Sequence, residues 1–396
     1  MSIATTETPG QHGAKAHSDG GWGDTSHVPV QTRSERFTST KHDDFPAVTG
    51  LEVDWKLTPV ASVRALIDDA LDGSRYEVTD QGSSADAVIE WVAMADKRVG
   101  SAGTPEDRAS ANAWSSTGEA LAITLAGETP LAVGIDRSGF TSAPRAAHTV
   151  ITAKANSSAH VVLRSSGQGN LVENVEIVVE DGAQLTVISL QEWDDDAIHL
   201  ASHFAQVGRD AKLTHIVVSL GGKVVRLNPS VHLSGEGSDG DLYGLYFADA
   251  GQHLEQRVYL HHQAANTKGR VNYKGALQGA GARTVWVGDV LIGRDASGTD
   301  SYEQNRNLVL TEGTRADSIP NLEIETGDIL GAGHASATGR FDDEQLFYLQ
   351  ARGITEPEAR RLVVIGFLAE IVQKVGDPAL ETYLNERIEA ELGGRA

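Results

Sequence analysis

Between residues 130 and 324 the chain is a succession of short apolar or alternating runs separated by Gly, Asn and Asp, with no helical spacing between them. The runs at 160–164, 175–179, 185–190, 213–220, 224–227, 242–247, 257–261 and 285–292 read as strands. One echo suggests their period. Asp181-Gly-Ala-Gln-Leu-Thr186 returns as Arg209-Asp-Ala-Lys-Leu-Thr214, 28 residues further on. Many short strands without intervening helices suit a sandwich or a β-solenoid, and the echo favours the solenoid. One coil cannot bury its own apolar face, so coils must stack, and the ends of the stack must be covered.

Helical text at both ends of the chain can supply those covers. Val60, Val63, Leu66, Ile67 and Leu71 fall near helical spacing behind Pro59, which predicts a helix over 59–71. Phe45 and Trp55 read as anchors for this arm. A strand-like piece at 87–92 and a helical piece after Thr104-Pro-Glu106 make 35–128 a small α+β region, with the solenoid core over 129–340. Residues 341–396 read as helical. Gly353 stops the first of these helices, and Thr355-Glu-Pro-Glu358 has the form of a capping box. The helix that follows has two apolar stripes. One is Leu362, Ile365, Leu368, Ala369 and Val372; the other is Val364, Phe367, Ile371 and Val375. Such a helix buries one face and can offer the other to a partner. Asp377-Pro378 opens a last helix. Residues 1–34 are polar and too poor in apolar groups to offset ordering, so they read as a disordered tail.

Composition narrows the chemistry. The net charge of −22 argues against nucleic acid and against an anionic membrane surface. There is no cysteine, which removes disulfides, thiolate metal sites and cysteine nucleophiles. No apolar run approaches the roughly 20 residues needed to span a bilayer. No basic stretch followed by an apolar one marks a secretory leader. The expectation is a soluble cytoplasmic protein.

Several motifs in the chain bear on its chemistry. Gly235-Glu-Gly-Ser-Asp-Gly240 matches the spacing of a dinucleotide loop, but a strand-like run follows it and two carboxylates flank it, so a solenoid turn is the better reading. Walker, HExxH and GxSxG patterns are missing. Trp193-Asp-Asp-Asp-Ala-Ile-His199 with His203 could hold a divalent cation, though charged runs between strands are usually solvated. His261 and His262 are adjacent on a strand and point to opposite faces. His334 is set among Gly331, Gly333, Ala335 and Ser336, where a neighbouring surface can approach an imidazole suited to iron, zinc or copper.

At this corner the residues become recognisable. His334-Ala-Ser-Ala-Thr-Gly-Arg-Phe-Asp342, Asp343-Glu-Gln-Leu-Phe-Tyr-Leu-Gln-Ala-Arg-Gly-Ile354 and Glu358-Ala-Arg-Arg-Leu-Val-Val-Ile-Gly-Phe-Leu-Ala-Glu370 resemble the C-terminal signature of the SufB/SufD family, components of the SUF iron–sulfur cluster assembly machinery. Asn272-Tyr-Lys-Gly275, Gln304-Asn-Arg-Asn-Leu308 and Leu322-Glu-Ile324 agree. Glu35-Arg-Phe-Thr-Ser39 and Asp54-Trp-Lys-Leu-Thr-Pro59 resemble the N-terminal region on the SufD side.

The resemblance implies a right-handed parallel β-helix with helical flanks, paired pseudo-symmetrically with a SufB paralogue, each half binding the ATPase SufC through its C-terminal helices. It implies a scaffold without catalysis of its own and a role in iron entry. A transient iron or cluster would sit at the SufB interface, with none held stably by the chain alone. The paralogue-facing residues would be Leu322, Ile324, His334 and Ser336, with His334 the metal-facing group. The SufC-binding residues would be Leu362, Ile365, Gly366, Phe367 and Glu370. A homodimer remains open when the partner is missing. Relatives often have Cys-Ser-His-Gly where this chain has Gly331-Ala-Gly-His334, so that thiol is not essential here. Two alternatives were set against this reading. A carbohydrate-active or carbohydrate-binding β-helix would usually be secreted, and a SufB-like scaffold would need cysteine.

Overall fold

A computed structural model describes residues 36–341 and 343–393. The tail expected at 1–34 lies outside the described residues. Among those described, eighteen strands form two nine-stranded sheets. In spatial order the first holds β1 (Glu77–Gln81), β4 (Leu131–Ser138), β6 (Ser158–Gly167), β8 (Gln184–Trp193), β10 (Lys212–Leu220), β12 (Asp239–Ala248), β14 (Lys268–Leu277), β16 (Thr299–Val309) and β18 (Ile329–Arg340). The second holds β2 (Ala87–Ala93), β3 (Glu119–Leu125), β5 (Arg145–Ala153), β7 (Asn170–Val179), β9 (Ile198–Val207), β11 (Val224–Leu233), β13 (His253–His262), β15 (Arg283–Ile292) and β17 (Arg315–Ile324). From β3 onward successive strands alternate between the sheets, and each pairs in parallel with the strand one coil later. This is a parallel β-solenoid, and all eight predicted runs lie within its strands.

The echo is the coil register itself: Leu185 and Thr186 of β8 stand opposite Leu213 and Thr214 of β10. The same repeat explains one corner. Asn156, Gly182, Asp210 and Gly237 occupy equivalent turns of successive coils, all at positive φ. A Cβ on Gly182 would lie 2.5 Å from Asn156 Oδ1, and one on Gly237 would lie 2.5 Å from Asp210 Oδ1. Asx side chains and glycines must therefore alternate up the corner. The dinucleotide-like motif is this packing device, as the solenoid-turn reading expects.

Leu185, Val187, Leu213, Val217 and Leu242 face inward to the solenoid core. Ile188, Ile216, Val218, Leu245 and Phe247 face outward from the same strands and are buried too. They lie beneath α4 (Glu356–Val372) and α5 (Pro378–Leu392). Burying one such aliphatic side chain contributes about 1.5–3 kcal/mol. On the opposite sheet α1 (Val60–Asp68) and α2 (Arg108–Ser116) cover Ala146, Val172, Leu200 and Val224. Phe45 and Trp55 are buried there, and the Arg226 guanidinium lies 3.8 Å from the centre of the Trp55 ring.

Three details differ from the sequence expectation. The first helix ends at Asp68 rather than 71, where Asp69 turns to extended backbone, and Leu71 packs on the same cluster from outside the helix. Residues 35–128 do not stand apart: β1 and β4 pair antiparallel, and β3 pairs in parallel with β5, so the sheets begin before 129. Thr355 precedes α4 without a side-chain capping bond, and Glu358 instead pairs with Arg361 at 2.8 Å. Asp377 does cap α5, accepting from the Ala379 and Leu380 amides.

Candidate functional site

The solenoid ends in β17 and β18, and among the described residues no further strand pairs with either. Unpaired strand edges are templates for another chain. The stretch 331–340, which sets His334 among small residues, is the body of β18. Its register with β16 sets Ala332, His334 and Ser336 opposite Ser301, Glu303 and Asn305. These are positions that face the solenoid interior, here at its uncovered end.

The His334 side chain is 47% exposed, and its Nδ1 lies 3.7 Å from Oε1 of Glu303, whose side chain is fully buried. Ser336 donates to Ser318 at 2.8 Å, and Ser318 donates to Asn305 Oδ1 at 2.8 Å. Asn305 continues inward to the Tyr246 hydroxyl at 2.8 Å. Leu322 is half-buried against the core. Ile324 and Leu330 are exposed apolar side chains on the end strands, and Tyr302 is exposed on the adjoining β16. All four predicted paralogue-facing residues are thus on β17 and β18. Glu303, Asn305, Ser318 and Leu330 were not foreseen, and only the register of the last two coils brings the first three beside His334 and Ser336.

The predicted ATPase-binding residues divide. Val364, Leu368, Ile371 and Val372 form the buried face of α4. Leu362 and Gly366 are exposed one turn apart, while Ile365 and Phe367 are half-buried. Glu370 is engaged within the chain, 2.7 Å from Lys274 Nζ and accepting from Asn272 at 2.8 Å. On α3 (Asp343–Gln350), Phe347 and Tyr348 are exposed aromatic residues that the sequence reading did not single out.

The other histidine clusters are part of the fold. Asp194, Asp195 and Asp196 are exposed at the turn before β9, whereas His199 and His203 are buried on β9, so the supposed cation ligands do not converge. His199 bonds Glu173 at 2.8 Å, and His203 bonds His215 at 2.9 Å. His262 is buried between Thr267 and Ser301, while its neighbour His261 stacks outside against His232, as opposite faces require. Among the described residues no group of three or more His, Asp or Glu is arranged to hold a metal ion.

Burial pushes the His215 imidazole down to about 4 and that of His262 down to about 3, with the neighbouring His261 ring adding to the latter. The unfolded chain takes up these protons first, near pH 6.5, so their contribution to stability is lost as pH falls from about 6.5 towards those values. The urea midpoint is expected to fall steadily between pH 7 and pH 4, and less steeply in His262→Gln. A flat profile over that range would contradict the assignment.

Among the described residues no helix is long and apolar enough to cross a membrane. A family model described as "SUF system FeS cluster assembly, SufBD core domain" matches residues 137–367. The chain is similar to an "Iron-sulfur cluster assembly SufBD family protein" of Mycobacterium tuberculosis (strain ATCC 25618 / H37Rv), 46% identical over 372 residues, covering 92% of this chain and 94% of the relative. A Mycobacterium leprae (strain TN) protein of the same description is 45% identical over 377 residues, covering 93% of this chain and 96% of the relative. A second such protein of that organism is 32% identical over 221 residues, 56% of this chain and 25% of the relative.

Proposed function

The chain belongs to the SufBD family of iron–sulfur cluster assembly proteins, and from that premise we propose that it is the SufD-like, non-catalytic half of a cytoplasmic SUF scaffold. The observation that carries this reading is the half-exposed imidazole of His334, on an end strand with one open edge in a chain with no cysteine. This chain can offer imidazole and carboxylate to iron, so thiolates must come from a SufB paralogue docked across the β17–β18 end. Main-chain pairing with the open edges would give that dock its register, and Ile324, Leu330 and Tyr302 would supply its apolar contacts. The two Mycobacterium leprae relatives, one 45% and one 32% identical to this chain, are in keeping with two family members per organism. Iron or a nascent cluster is cargo at this interface, and the chain alone holds neither stably. Without its paralogue, the same open edges favour a homodimer.

The SufC ATPase docks on α3 and α4. Phe347, Tyr348 and Leu362 are exposed there over a helix whose other face is packed into the sheet. Lys274 of β14 ties that helix down, donating to the Phe367 carbonyl at 2.8 Å and pairing with Glu370. Movement of α4 by the ATPase would therefore reach the sheet that carries His334. Phe347→Asp with Leu362→Asp is expected to weaken SufC binding by about tenfold or more in a pull-down titration, with the urea midpoint unchanged. Retention of wild-type binding would count against this surface. The SufB-like alternative lacks support because that role needs cysteine.

A further inference from the structure

We propose that Glu303 is a second ligand of this chain for ferrous iron, acting with His334 at the open end of the solenoid. The inference rests on the reading of His334 given above and extends it to a residue that only the strand register brings to notice. Glu303 and His334 are direct register partners on β16 and β18. The Glu303 side chain is fully buried and its Oε1 is 3.7 Å from His334 Nδ1. That separation is too long for a hydrogen bond. Adjacent donors on one first-row ion, each about 2.1 Å from it, stand about 3 Å apart. A small rotation of either side chain would close the difference.

The room for the carboxylate is built into the opposite sheet. A Cβ on Gly288 of β15 would lie 2.3 Å from both Glu303 Oε2 and Trp286 Cη2, so any larger residue there would crowd the acid and the indole that flank it. Burial strengthens the attraction between a carboxylate and a divalent cation, because little water competes. One imidazole and one carboxylate make a donor pair suited to ferrous iron. Two ligands leave the coordination sphere open, and the exposed side of His334 faces the direction from which a docked partner would complete it. No bond is made or broken in the protein and no electron moves. The imidazole binds neutral and the carboxylate ionised.

The test uses the purified full-length chain titrated with Co²⁺, whose visible absorption reports its ligands. Wild type is expected to give a saturable ligand-field band. Glu303→Gln, close to it in shape, should weaken Co²⁺ binding by about tenfold or more and shift the band, which a merely supporting role would not do. Glu303→Asp, with the carboxylate drawn back, should weaken binding less, and it serves as the reading if Glu303→Gln does not fold by circular dichroism. His334→Ala should lose the band. If either Glu303 variant folds and binds with wild-type affinity and spectrum while His334→Ala does not, Glu303 is not a ligand and the reading of His334 stands. If His334→Ala also binds as wild type, both ideas fall.

Discussion

His334→Ala is expected to leave the chain folded and bound to its paralogue while lowering iron–sulfur cluster assembly by about tenfold or more. The fold does not depend on this ring. It is half-exposed on the last strand, and it stands 3.7 Å from the Glu303 carboxylate without a hydrogen bond to it. Strand pairing is a main-chain property, so the alanine variant keeps the β16–β18 register and the open edges. What it loses is the one histidine on β17 and β18 among the described residues. The measurement is the rate of cluster formation on the purified complex, together with the yield of that complex. Normal cluster formation would remove His334 from the account. Loss of the complex itself would make the residue structural.

The second large effect is on stability. Arg137 of β4 and Glu173 of β7 belong to opposite sheets, and neither side chain is exposed at all. The guanidinium donates to both carboxylate oxygens and, at 2.7 Å, to Ser165. His199 holds the same carboxylate at 2.8 Å. Burial alone would push the Glu173 carboxyl up, but Arg137 and His199 more than offset it and hold it below the usual carboxylate range. Arg137→Met would strand a buried charge, at a cost of about 3–5 kcal/mol in urea unfolding. Arg137→Met with Glu173→Leu should recover most of that loss, since no unpaired charge remains. A single variant within about 1 kcal/mol of wild type would contradict the assignment.

Much of the solenoid was legible because its inward positions repeat. Leu185-Thr186 and Leu213-Thr214 look alike in sequence because they stack in space. The later coils were harder to read because their inward rows turn polar at Glu303, Asn305 and Asn307, which resembles loop text. The coil lengthens as well: Glu303 pairs with His334, a longer step than that from Thr186 to Thr214. A fixed period therefore could not bring those two residues together. His334 was found by its small neighbours and its family signature, whereas Glu303 needed the register. Glu370, which the resemblance implies faces the ATPase, also pairs with Lys274 of β14, a contact the sequence did not reveal.

The most direct test of the account is affinity purification of the full chain from its native host, with the bound proteins identified by mass spectrometry. The account predicts a cysteine-bearing SufBD paralogue and a Walker-motif ATPase in amounts comparable to the chain itself. Recovery of the chain alone, or only as a homodimer while both of those proteins are present in the lysate, would contradict it.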